Sequence, residues 1–154
     1  MLLLSPTLAL LAVSALTLLG GVFYPRHAVR AFVVFVSVAG FAASAVLSAV
    51  VFDRSEEGTS LIAESMTRDR WGAAAATIIA VVGLLVALLS WGDGRRDHVG
   101  EYYALIAASA AGMVFFVSAD NLMTMFLALE WFSIALYVLC ALDTHRRTSL
   151  EAGL

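Results

Sequence analysis

The chain has 154 residues, 62% of them hydrophobic, with a mean hydropathy of +0.93, 14% charged residues and a formal net charge of −3 at pH 7. A soluble domain of this size needs more polar surface. The negative balance and the lack of a basic tract exclude nucleic acid as an expected partner. With one cysteine, Cys140, the chain cannot build a disulfide framework, a cysteine-rich zinc site or an iron–sulfur cluster within itself. No glycine-rich phosphate loop follows a strand pattern, so no nucleotide site is expected.

The charges are clustered, and long uncharged runs lie between the clusters. A membrane-crossing helix needs roughly 20 mostly apolar residues at about 1.5 Å rise each. Five runs fit, at 2–24, 31–52, 71–92, 102–119 and 121–142, and only the last contains a charge, Glu130. The fold class expected is therefore all-α: a multi-pass transmembrane bundle of about five helices, forming a single membrane domain over 1–154. The first run has no basic n-region and is longer than the apolar core of a signal peptide, so it reads as a retained helix. A longer loop, 53–70, is rich in Glu, Ser and Gly and is expected to be partly irregular and solvated.

All nine cations are arginine. Arg26, Arg30, Arg95, Arg96, Arg146 and Arg147 fall on one side of the predicted topology; Arg54, Arg68 and Arg70 fall on the other. Arginine favours the cytoplasmic side, which predicts an outside N-terminus, a cytoplasmic C-terminus and an outward 53–70 loop. His27, His98 and His145 all sit in predicted loops.

Small residues recur every four positions at Gly40, Ser44 and Ser48 in the second run and at Ala104, Ala108 and Gly112 in the fourth. This spacing suits close helix approach. Tyr102 and Tyr103 fit an interfacial aromatic belt, with Glu101 beside them. Asp120 and Asn121 sit where they can cap the fifth helix. Near the end, Thr148 and Glu151 form a capping-box pattern that announces a further helix, and the expectation is that this chain is the N-terminal part of a longer protein.

Glu130 lies 8 residues after Leu122 and 12 before Leu142, near the middle of its run. An acid at a helix centre costs on the order of 2.5–3.5 kcal/mol on insertion scales, so it is expected to face a protein interior or a water cavity. Glu130, Ser133, Tyr137 and Cys140 are spaced 3, 4 and 3 apart and share one stripe. Phe132, Leu136 and Leu129 then lie on the opposite face, toward lipid or other helices. A carboxyl buried alone favours its neutral form, whereas a nearby buried cation holds it ionised. The chain has no lysine, and no arginine or histidine lies within the five runs. The candidate site is therefore Glu130 as an ionisable relay with Ser133 and Tyr137 in support, the bland alternative being a carboxyl that serves only as packing glue. The five methionines show no metal spacing, and Trp131 reads as a core or lipid contact.

The stretch from Gly100 to Leu139, "GEYYALIAASAAGMVFFVSADNLMTMFLALEWFSIALYVL", followed by "SLEAGL" at 149–154, resembles subunit N of bacterial NADH-quinone oxidoreductase, respiratory complex I. The resemblance rests on the Gly100-Glu101-Tyr102-Tyr103-Ala104 entry, the Gly112-Met113 pair, the Ala119-Asp120-Asn121-Leu122 turn and Leu127-Ala128-Leu129-Glu130, with Ser133 and Tyr137 after it. It implies an antiporter-like, proton-translocating membrane subunit in which the acid matching Glu130 pairs with a lysine on a later, broken helix. It implies a multi-pass protein of the cytoplasmic membrane, with other membrane subunits and the lipid bilayer as partners. No cofactor is implied in this chain: NADH, FMN, iron–sulfur clusters and quinone belong to other subunits, and quinone concerns it only indirectly. Two further readings stay open, a subunit of a multisubunit cation/proton antiporter and a non-pumping assembly fragment.

Overall fold

The computed structural model describes residues 4–23, 26–53, 59–61, 66–92, 98–143 and 147–153. The chain is all-α in class: α1 (Ser5–Phe23), α2 (Arg26–Asp53), α3 (Arg70–Leu89), α4 (Val99–Val117) and α5 (Leu122–Cys140) are followed by a short α6 (Arg147–Ala152). The first five are each long and apolar enough to span a membrane, which makes this a multi-pass membrane protein. The 53–70 loop holds a short antiparallel pair, β1 (Thr59–Leu61) with β2 (Met66–Arg68). Met66 also bridges to Ala119, tying this hairpin to the turn between α4 and α5. The remainder of that loop, with Arg54, lies outside the described residues, as do Arg95, Arg96, His145 and Arg146 and the side chains of Arg26, His27, Arg68, Arg147 and Thr148.

Local signals set the helix ends. Asp69 is the N-cap of α3, its Oδ1 accepting the Gly72 N–H at 2.8 Å, and Asn121 does the same for α5 with the Thr124 N–H at 2.8 Å. Each satisfies one of the donors that a helix start leaves open. Asp120 is exposed and caps nothing. α4 starts differently: His98 takes a left-handed backbone at φ 58°, ψ 30°, without a side-chain cap. Charges bounded the expected runs too tightly. α2 begins at Arg26 instead of 31 and α4 at Val99 instead of 102, because charged residues occupy their first turns, where long side chains reach water from a helix end. At the other extreme α6 begins at Arg147, so Thr148 falls inside the helix instead of before it.

Lipid tails are as apolar as leucine, so helices in a bilayer associate through close packing and hydrogen bonds. The contacts follow this rule. α4 touches α1, α2, α3 and α5, and its buried positions are dominated by Gly100, Ala104, Ala107, Ala110, Ala111 and Gly112. At Gly100 the approach is backbone on backbone: an added Cβ would sit 2.8 Å from the Gly21 Cα and 3.0 Å from the Thr17 carbonyl oxygen. Elsewhere the missing side chain admits a large one. Phe41 is fully buried against Gly83, where a Cβ would meet its ring at 2.2 Å. The second-helix stripe works similarly, with Gly40 receiving Val13 and the Ser44 hydroxyl donating to the Pro6 carbonyl at 3.3 Å.

The tyrosine pair departs from the interfacial expectation. Tyr103 is 3% exposed and donates its hydroxyl to the Ala87 carbonyl of α3 at 3.2 Å. Tyr102 shares a hydrogen bond with Ser90 at 2.9 Å and stands edge-on to Tyr103. Both belong to the α3–α4 contact, since an apolar ring with one polar tip can close a helix end from within as well as from the interface. Glu101 is half-buried and lies 3.7 Å from the exposed His98.

Gly100→Ala is expected to push α1 from α4 and to destabilise the fold by about 1–3 kcal/mol, the range for overpacked interiors. Gly92→Ala, where nothing lies within 4 Å, is expected to change stability by less than about 0.5 kcal/mol. Thermal unfolding of the detergent-solubilised protein measures both.

Candidate functional site

α5 has 19 residues, and Glu130 occupies its middle turn. Its two fully or nearly buried residues, Ala128 and Ala135, are seven apart and so lie on one face, which rests on α4. Gly112 of α4 is the point of closest approach: a Cβ there would come within 2.7 Å of the Trp131 ring and 2.9 Å of the Phe132 Cβ. Phe132 meets Phe116 edge-on at 5.9 Å. Trp131 reaches sideways to α4 and donates its indole N–H to the Ala108 carbonyl at 3.1 Å. The small-residue stripe at Ala108 and Gly112 is thus where α5 is seated, and Trp131 is a tether that spacing alone did not reveal.

This seating fixes the direction of the acid. Glu130 is exposed, Ser133 half-buried, Tyr137 60% exposed and Cys140 exposed. The polar stripe therefore exists as a stripe, but its Glu130–Tyr137–Cys140 edge faces away from α4. Within this chain the acid is exposed and faces away from the other described helices. The reason is geometric: α5 packs mainly on α4, and the stripe is on its far side. Of the residues expected to face lipid or other helices, Phe132 is half-buried against α4, Leu136 is half-buried and Leu129 is exposed. The exposed face includes Phe126, Leu127, Ile134 and Val138 around the acid.

Glu130 has no hydrogen bond or ion pair among the described residues. The arginine side chains that are described are engaged at helix ends. Arg30 donates to the Trp91 carbonyl past the end of α3, and Arg70 lies 5.8 Å from the centre of the Phe52 ring. Among the described residues no three His, Cys, Asp or Glu side chains cluster as metal ligands would.

The far end of α5 is closed by α6. Ser149 donates its hydroxyl to the Cys140 carbonyl, one of the acceptors a helix end leaves open. Gly153 lies so close that a Cβ would be 2.7 Å from the Ala141 Cβ and 3.0 Å from the Tyr137 carbonyl oxygen. Residues 149–153 are therefore a clasp on the end of the helix that carries the acid.

Trp131→Phe keeps the ring contact with Gly112 but removes the bond to Ala108. The expected loss is about 0.6 kcal/mol, the mean for hydrogen bonds between membrane helices, read as a lower unfolding midpoint with α1 to α4 unchanged.

No protein-family model matches the chain. Curated relatives do. NADH-quinone oxidoreductase subunit N of Desulfovibrio desulfuricans is 34% identical over 98% of this chain and 30% of its own length. The subunit N of a Paenibacillus species is 31% identical over 97% of this chain and 32% of its own length. A subunit N of Symbiobacterium thermophilum is 40% identical over 57% of this chain and 18% of its own length. The chain thus spans about a third of the length of the first two relatives. Over nearly all of its residues, this five-span helical chain is a homologue of the N-terminal part of NADH-quinone oxidoreductase subunit N.

Proposed function

We propose that the chain acts as a proton-translocating membrane subunit of an NADH-quinone oxidoreductase, with Glu130 as an ionisable relay. One observation carries this reading: Glu130 is an acid placed in mid-helix, away from either end of its span, on the face of α5 that α4 leaves uncovered. An acid in hydrocarbon is costly unless it meets a partner or water. The uncovered face is therefore where a neighbouring helix with a complementary group, or a file of water, meets it. Ser133 and Tyr137 extend the same edge and can pass a proton along it by hydroxyl exchange. The homology to subunit N supports the membrane-subunit assignment, and the arginine distribution supports an outside N-terminus in the cytoplasmic membrane.

In this reading the chain performs no redox step. NADH oxidation, with FMN, iron–sulfur clusters and quinone, takes place in other subunits, and this chain contributes to the translocase function. Its partners are other membrane subunits and lipid.

Glu130→Gln keeps size and hydrogen bonding but cannot titrate. In the assembled complex it is expected to lower proton pumping per NADH oxidised by at least about tenfold, the effect of roughly 1.4 kcal/mol on a barrier. Glu130→Asp is expected to retain partial pumping. Proton uptake into vesicles, measured alongside NADH oxidation, checks both. Unchanged pumping in an assembled Glu130→Gln complex would leave the acid as packing glue and overturn the relay.

A further inference from the structure

A small pocket lies at the end of the bundle where α2 passes to α3. Its volume is about 10 Å³, and its walls include Pro6, Ser48, Val51, Asp69, Val114 and Ser118. Three of these walls are polar. Ser48 is 1% exposed, and its hydroxyl has no hydrogen-bond partner among the described residues. Asp69 uses Oδ1 to cap α3, and its second oxygen has no hydrogen-bond partner among the described residues. Ser118 donates to the Val114 carbonyl at 2.9 Å and can still accept.

The orphaned Ser48 is unusual in this chain. Thr17, Thr77, Ser90 and Ser118 all donate to a carbonyl four residues back on their own helix. This is the ordinary local solution for a hydroxyl in a helix. Ser48 forgoes it and lines the pocket instead. A buried hydroxyl left without a partner keeps its full desolvation penalty. Ser37, the other orphaned hydroxyl on α2, is not among the pocket walls.

We propose that this pocket binds one ordered water, bonded to the Ser48 hydroxyl and donating to the Asp69 carboxylate. The volume is at the lower end of the roughly 10–15 Å³ that one water needs, and the polar walls supply the two to four partners that such a water requires. A hard cation such as calcium takes six to eight oxygen ligands, which three polar walls do not provide. The water links α2, the start of α3 and the end of α4 at a single point. It closes the bundle end beside the Met66–Ala119 bridge.

The test is a structure of the assembled complex at a resolution that shows waters, paired with thermal unfolding of two variants. A single peak is expected at about 2.7–3.2 Å from Ser48 Oγ and from an Asp69 oxygen. Ser48→Ala is expected to weaken that peak and lower the unfolding midpoint, because the water loses a partner. Ser48→Val, which fills the pocket, is expected to abolish the peak and unfold later than Ser48→Ala. An empty pocket with Ser48 Oγ turned onto the Ser44 carbonyl would overturn the proposal. So would a Ser48→Ala midpoint equal to or above that of the parent, or a peak at the shorter distances of a metal ion.

Discussion

The bundle depends on how closely α4 can be approached. In water, helices are driven together by the apolar surface they hide; in lipid that drive is absent, and contact must come from van der Waals fit and hydrogen bonds. α4 meets the requirement by presenting mainly alanine and glycine to its neighbours, with Tyr102 and Tyr103 at its start. More than half of α4 is buried within the chain but only about a tenth of α5. α4 is an axis around which α1, α2 and α3 are gathered, and α5 is attached to it along one edge.

That edge determines what the acid can do. An α-helix has one face per contact, and α5 spends its small-residue face on α4. Glu130 is two residues past Ala128, about 200° around a helix of 3.6 residues per turn, so the acid is turned to the opposite side. The same geometry that makes the α4–α5 contact tight thus presents the carboxyl outward. A relay group has to be reachable from a second element, and a residue on the α4 side would be sealed by Phe132 and Gly112.

Much of this was legible in the sequence because membrane spans leave a coarse signal. Four long uncharged runs and one with a single acid mark five helices, Asn121 is recognisable as a cap, and the acid in mid-run stands out by cost alone. Other features were illegible for identifiable reasons. Charge-free runs understate helices whose first turns carry arginine, as in α2. Tyr103 and an interfacial tyrosine look alike in sequence, and only the nearby Ala87 carbonyl separates them. The 3-4-3 spacing of Glu130, Ser133, Tyr137 and Cys140 predicts a stripe but carries no information on which way it faces. That depended on Gly112 and Trp131, 19 residues apart in sequence and joined only by the fold. The β1–β2 pair is too short to leave a periodic pattern.

The Gly21–Gly100 approach bears on the order in which the chain can assemble. Residues emerge N-terminal first during synthesis, so α1 leaves the ribosome with its glycine face unmatched and waits for α4. α2 and α3, adjacent in sequence, can pair locally in the interval, and α1 can lean on α2. The Gly21–Gly100 contact joins residues 79 apart, about half the chain, and closes a long loop at an entropic cost that grows only slowly with length. Closing it brings α4 against α1, and α5, which packs on α4, follows α4 in the chain, so the helix bearing the acid emerges after the helix that seats it.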